Sequence, residues 1–202
     1  DSKYAKTRSR WEPLYEVTQI KGDSEAHPAL SPNDEFADYE TWNSWHVKEV
    51  ETGERDDRIE QKKSEYARSA LKLGLGKQAK LGVNPFKFGM IGSTDSHTSM
   101  ATADDNNFWG KVTAHEPNAK RILVSAWGND VFTRDLAASG YAAVWAQENT
   151  RESLFAAMKR KEVYATTGPR MTVRFFGGWD YQTEDAFKSD LAQIGYTKGV
   201  PM

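Results

Sequence analysis

Two residues with metal-binding and acid–base chemistry, Asp95 and His97, sit two positions apart just after the apolar run Phe86 to Ile91. Side chains at i and i+2 of an extended segment project from the same face. At the carboxyl end of a strand, where α/β sheets keep their active sites, such a pair points into the space beyond the sheet. A carboxylate oxygen and an imidazole nitrogen there make a good pair of divalent-metal ligands. Gly92 precedes the pair, and the hydroxyls of Ser93, Thr94, Ser96 and Thr98 surround it. The alternative is a strand-end loop in which Asp95 merely caps a turn.

Other residues offer related chemistry. Glu16 lies in an apolar strand, where an unpaired carboxylate is costly, so it is either a ligand or half of an ion pair. Glu25 and His27, two apart in a glycine-containing loop, form a second candidate ligand or acid–base pair, against a plain loop turned by Pro28. Lys21 is either a contact for an anionic substrate group or an exposed lysine. Arg170 either clamps a phosphate or carboxylate in bidentate fashion or pairs with a carboxylate of the core. His46, at a tryptophan-rich helix end, and His115, in a loop, read as packing or surface residues.

The elements that must carry these groups alternate between strand and helix. Strands are expected at Leu14 to Ile20, Phe86 to Ile91, Tyr141 to Ala146, Val163 to Ala165 and Met171 to Phe176. Helices are expected from Ser31–Pro32 to about Trp45, from Ser64 to Leu75, over 130 to 138, and from Asn149 to about Arg160. In the last of these Leu154, Phe155 and Met158 point inward, and Asn149 with Glu152 forms a capping-box-like pair. Residues 99 to 118 read as a long functional loop or insertion, and the chain from Asp180 as a linker or flexible terminus. The pattern argues a parallel α/β core. A closed (β/α) barrel usually needs about 250 residues, so at 202 residues the sheet is open or is part of a barrel. The organisation expected is one α/β unit over 1–170 and a strand and tail over 171–202.

Composition narrows the function classes. The net charge is −2 and the basic clusters are short, which argues against a nucleic-acid surface. Zero cysteines exclude disulfides, thiolate metal sites and cysteine nucleophiles. No apolar run approaches the roughly 20 residues that cross a bilayer. The chain is polar for its size, with 38% hydrophobic residues and a mean hydropathy of −0.74. Its seven tryptophans read first as packing residues. The chain opens without methionine, and the expectation is that the true start lies upstream.

Four blocks in order carry a resemblance: Lys21-Gly22-Asp23-Ser24-Glu25, Asn84-Pro85-Phe86-Lys87-Phe88-Gly89, Gly92-Ser93-Thr94-Asp95-Ser96-His97-Thr98 and Tyr164-Ala165-Thr166-Thr167-Gly168-Pro169-Arg170. They resemble a bacterial family, domain of unknown function 3604, within the polymerase-and-histidinol-phosphatase (PHP) superfamily of metallohydrolases. More distantly they resemble its carbaryl-hydrolase-like branch. The match spans roughly residues 10 to 176. The resemblance implies a distorted (β/α)7 barrel with two or three divalent ions at the strand carboxyl ends. It implies that Asp95 and His97 are the closing ligand pair and that Glu16 is the carboxylate bridging metals. It also favours a periplasmic or secreted setting.

One departure shapes the expectation. The superfamily opens with His-x-His on its first strand and an Asp-His after its second. The histidines here are His27, His46, His97 and His115, and none forms such a pair. The chain is therefore expected to be the carboxyl-terminal half of a barrel, with the missing amino-terminal half of the polypeptide holding most ligands. The expected activity is hydrolysis of a phosphate, carboxyl or carbamate ester by metal-activated water, the ion being Zn, Mn or Fe. Asp95, Glu16 and His97 would bind the ions, Glu25, His27 or Asp95 would move the proton, and Lys21, Thr94 and Arg170 would contact a small ester or phosphoester. Two alternatives stand beside it. One is a non-catalytic anion-binding module using Lys21 and Arg170; the other is a structural fragment with an exposed sheet edge.

Overall fold

A computed structural model describes residues 1–41, 62–99, 119–120, 123, 136 and 140–202. The chain opens with helix α1 (Ser2–Trp11), capped by the Asp1 carboxylate, which accepts from the Tyr4 amide. Strand β1 (Leu14–Gln19) follows, then the two-residue β2 (Gly22–Asp23). Helix α2 (Ala67–Leu81) leads into β3 (Gly89–Gly92). Strand β4 (Ala142–Val144), helix α3 (Arg151–Arg160) and strand β5 (Val163–Ala165) form the next unit. Last come β6 (Phe176–Gly177), a 3-10 helix (Thr183–Phe187), α4 (Leu191–Lys198) and β7 (Val200–Pro201).

Three small sheets result among the described residues. In the first, β1 is central, antiparallel to β2 and parallel to β3. The second pairs β4 with β5 antiparallel, and the third pairs β6 with β7 antiparallel. Buried apolar side chains gather where these meet the helices: Val17 and Ile20 at the end of β1, Ala67 of α2, Ala157 of α3 and Val163 of β5. The fold class is mixed α/β; the described residues hold four α-helices and small sheets, and among them no sheet closes into a barrel. Among the named strands of the described residues, β1 and β3 make the parallel pairing expected, whereas β4 and β5 pair antiparallel.

Several local expectations are corrected. Residues 32–40 form successive turns instead of a helix. The Asp34 carboxylate, placed to favour a helix start, accepts from the Phe36 amide and binds Arg68, a local side-chain competition that draws the backbone out of helix geometry. Helix α2 runs past Gly74 and Gly76 and stops at Gly82, whose φ of 72° gives the left-handed cap. Thr150, not Asn149, caps α3 by accepting from the Ser153 amide. Phe155 turns outward, and the buried position of that helix is Ala157. The helix expected over 130–138, nearly all of the loop over 99–118, and His46 and His115 lie outside the described residues.

The segment after Arg170 differs most from expectation. Residues 171–175 have no ladder partner, so the strand there shrinks to β6. The presumed linker folds back onto the core. The Trp145 indole donates to the Val173 carbonyl at 2.9 Å, and the Arg174 guanidinium lies 3.8 Å from the Trp145 ring centroid and 5.4 Å from that of Tyr196.

Within this segment Asp185 is 4% exposed and accepts from Lys198 at 2.5 Å, Lys188 at 2.9 Å and the Gln182 amide at 3.0 Å. Lys198 first, then that amide and Lys188, hold its carboxyl well below the usual carboxylate range. A depressed carboxylate stabilises the fold above its unfolded pKa of about 3.9 and loses that stabilisation as pH falls toward the folded value. Hydrogen exchange of the Leu191–Lys198 amides is therefore expected to quicken as pH drops below about 4, after correction for intrinsic rates. Asp185→Asn should exchange faster at pH 7 and lose that acid dependence. An unchanged profile in the variant would assign the acid transition elsewhere.

Candidate functional site

Parallel pairing brings the carboxyl ends of β1 and β3 together. Leu14, Tyr15 and Glu16 face Gly89, Met90 and Ile91, and the register then slips so that Thr18 faces Gly92. The approach there is close. A Cβ built on Gly92 would lie 2.4 Å from the Thr18 carbonyl oxygen and 2.7 Å from its Cγ2. Only glycine allows the two strand ends to converge.

The loop leaving β3 is shaped by its own hydroxyls. The buried Thr94 side chain accepts from the Ser96 amide at 3.1 Å, and the Ser96 and Thr98 hydroxyls are 2.9 Å apart. This winds the chain so that Asp95 takes a left-handed φ of 51°, a conformation that aspartate and asparagine tolerate better than most residues and that recurs at functional sites. Asp95 Oδ1 then lies 3.1 Å from His97 Nε2, and its other oxygen lies 4.0 Å from Lys21 Nζ. The imidazole is more than half exposed and the carboxylate only a quarter. Three ionisable groups from two strand exits thus meet at one mouth.

The remaining candidates lie elsewhere. Glu16 is exposed and its carboxylate accepts from the Gln19 amide group at 2.8 Å. Glu25 accepts from Arg68 Nε at 3.0 Å, and Arg68 also binds Asp34. His27 is buried, its Nδ1 accepts from the Ala29 amide at 3.1 Å, and its ring centroid is 5.3 Å from that of Tyr66. In the neutral ring that bond assigns the proton to Nε2. Arg170 is exposed, its guanidinium 4.9 Å from the Tyr141 ring centroid. The structure therefore joins Asp95, His97 and Lys21, and sets Glu25 with His27 in a separate loop against α2.

That loop is built by residues the sequence reading passed over. Asp23 accepts from the Glu25 amide at 2.7 Å and the Ala26 amide at 3.2 Å. Burial pushes the Asp23 carboxyl up in spite of these bonds. Burial, then the nearby Asp23 charge, drives the Tyr66 hydroxyl up to about 12. The Ser24 and Glu25 carbonyls accept the first amides of α2, from Ala67 and Arg68, satisfying donors that a helix leaves open. Arg68 was detectable in principle. A cation in a first helical turn opposes the macrodipole, so its presence calls for carboxylate partners. Nothing local says that they lie 34 and 43 positions away.

Among the described residues, no three His, Cys, Asp or Glu side chains come together as a group that could hold a metal ion. No described helix is long and apolar enough to cross a membrane. No curated protein and no solved structure matches the chain. A family model does match, over residues 1–202, and its description is protein of unknown function (DUF3604). With the whole of its length inside that match, the chain belongs to the DUF3604 family.

Proposed function

We propose that the protein is a metal-dependent hydrolase of the PHP kind, acting on a phosphate, carboxyl or carbamate ester, with Asp95 and His97 as two of its metal ligands. The observation behind this reading is the convergence of Asp95, His97 and Lys21 where two parallel strands end. A turn-capping aspartate needs neither partner. The donor types suit Zn, Mn or Fe. Two donors fall short of the three or four that such an ion takes from protein, so in this proposal the others come from outside the described residues. Glu16 would join only by leaving Gln19.

An ion at this mouth supplies water activation near neutral pH and polarisation of the scissile oxygen. The chain's own residues do the rest. The left-handed backbone at Asp95 aims its carboxylate across the mouth toward both neighbours. Lys21 provides a cation for an anionic substrate oxygen or for charge developing on it. Of the residues considered for proton transfer, Asp95 is the one at the mouth, because Arg68 holds Glu25 and the Ala29 amide occupies His27 Nδ1 in a separate loop.

The test is elemental analysis of protein purified with its metals, followed by a phosphoester and ester panel before and after chelation. The expected result is about one or more equivalents of Zn, Mn or Fe per chain, with activity lost on chelation and restored by the same ion. Protein that carries no metal and hydrolyses nothing would overturn the proposal. The second reading, a non-catalytic anion-binding module using Lys21 and Arg170, would bind inorganic phosphate without turnover and without metal.

A further inference from the structure

A second site lies along the sheet, apart from the Asp95 mouth. A cavity of about 630 Å³ runs over β1, β3 and β5, with the end of β7 as one wall. That volume is in the range of small-molecule sites. Its middle is apolar, with Met90, Val163 and Pro201 among the lining residues, and Lys87 and Lys161 stand at the amino end of β3. Toward the carboxyl end, about 10 Å along the strand, lies Thr18, which faces Gly92 in the ladder. Of the residues singled out from the sequence, Glu25 lines this cavity; Lys21, Asp95 and His97 do not.

Two features suggest a ligand rather than a packing gap. First, neither lysine has a carboxylate within salt-bridge distance among the described residues, whereas neighbouring Arg160 is neutralised by Glu162 at 2.7 Å. Second, the fold brings Lys161 there at some strain. It caps α3 in a left-handed conformation, φ 69°, where glycine is usual, and it packs so closely that a Cβ on Gly89 would lie 2.8 Å from its own. Burial, then the charge of Lys87, depresses the Lys161 pKa, which is consistent with two cations waiting for a shared counter-charge.

We infer that this cavity binds a small organic anion, its acidic head between Lys87 and Lys161 and its apolar body over Met90 and Val163. The probes are naphthalene-2-carboxylate, naphthalen-2-ylmethylphosphonate and the neutral 2-naphthalenemethanol, titrated by calorimetry into the full chain. At least one of the two anions should bind tenfold or more tighter than the alcohol, and the stronger identifies the head group preferred. A Lys87→Gln/Lys161→Asn variant, whose asparagine tolerates the left-handed cap, should weaken that anion at least tenfold. Lys72→Gln, on the exposed face of α2, should not change it. Asp95→Asn should also leave binding intact, which separates this site from the proposed hydrolase centre. Equal affinity for the alcohol, or an unchanged affinity in the double lysine variant with a native circular dichroism spectrum, would overturn the inference.

Discussion

An Asp95→Asn variant is expected to lose bound metal and at least about 100-fold of kcat/KM together, while its stability, compared metal-free, stays within about 1 kcal/mol of the parent. Asparagine is chosen because Asp95 sits at a φ of 51°, which asparagine accepts as readily as aspartate does. Alanine would lose the carboxylate and strain the backbone at once, and the two effects could not be told apart. Asparagine keeps the shape and one oxygen and removes the charge that would bind a divalent ion in the proposed centre. It also removes an attraction to Lys21 at 4.0 Å, but a pair this exposed contributes between zero and about 1 kcal/mol. Even the partners that merely orient metal ligands cost 10- to 100-fold when mutated, so a ligand should stand at or above that range. Metal content by elemental analysis and turnover on the best substrate of the panel give two independent readings. Retention of both would return Asp95 to the role of a turn residue.

How much of this was legible before any coordinates depends on the range of the forces involved. Strands β1, β3 and β5 were readable because β-prone apolar runs bounded by Gly, Pro and Asn are local signals. Asp95 and His97 were expected to share a face by period-two geometry, but they meet because the Thr94 turn winds the loop and Asp95 takes a left-handed φ of 51°. Where distant contacts decide, local reading failed. Ser31–Pro32 carries good helix-start chemistry, but Asp34 is claimed by Arg68 and by the Phe36 amide. Gly74 looked like a helix end, yet it lies inside α2 because Asn84 packs onto it, 2.3 Å from where its Cβ would be. Phe155 fits an inward helical stripe, but a small residue, Ala157, is the one covered. The polar tail gave no sign of folding, since its order rests on Asp185, Lys198 and the Arg174 stack on Trp145. Apart from the Asp34 bond to the Phe36 amide, these outcomes rest on tertiary packing that no window of neighbouring residues contains.

The same substitution at two glycines should move stability in opposite directions. Gly92→Ala is expected to destabilise the protein by about 2–3 kcal/mol, because the new methyl meets the Thr18 backbone oxygen at 2.4 Å. Neither atom is the end of a flexible side chain, so the strain is relieved only by parting β1 from β3. For a chain of this length that corresponds to a fall in Tm of about 5–10 °C. Gly76→Ala lies within α2 with nothing within 4 Å of the added methyl. There the gain in helix propensity should stabilise by about 0.5–1 kcal/mol. Thermal denaturation of the two variants beside the parent decides the matter. Because the parting of β1 from β3 would also move Lys21 away from Asp95 and His97, Gly92→Ala should raise KM for an anionic substrate at temperatures where it is still folded, and Gly76→Ala should not. If Gly92→Ala melts with the parent, the strand ends are not in the close contact that brings Lys21, Asp95 and His97 to one mouth, and the site loses its structural basis.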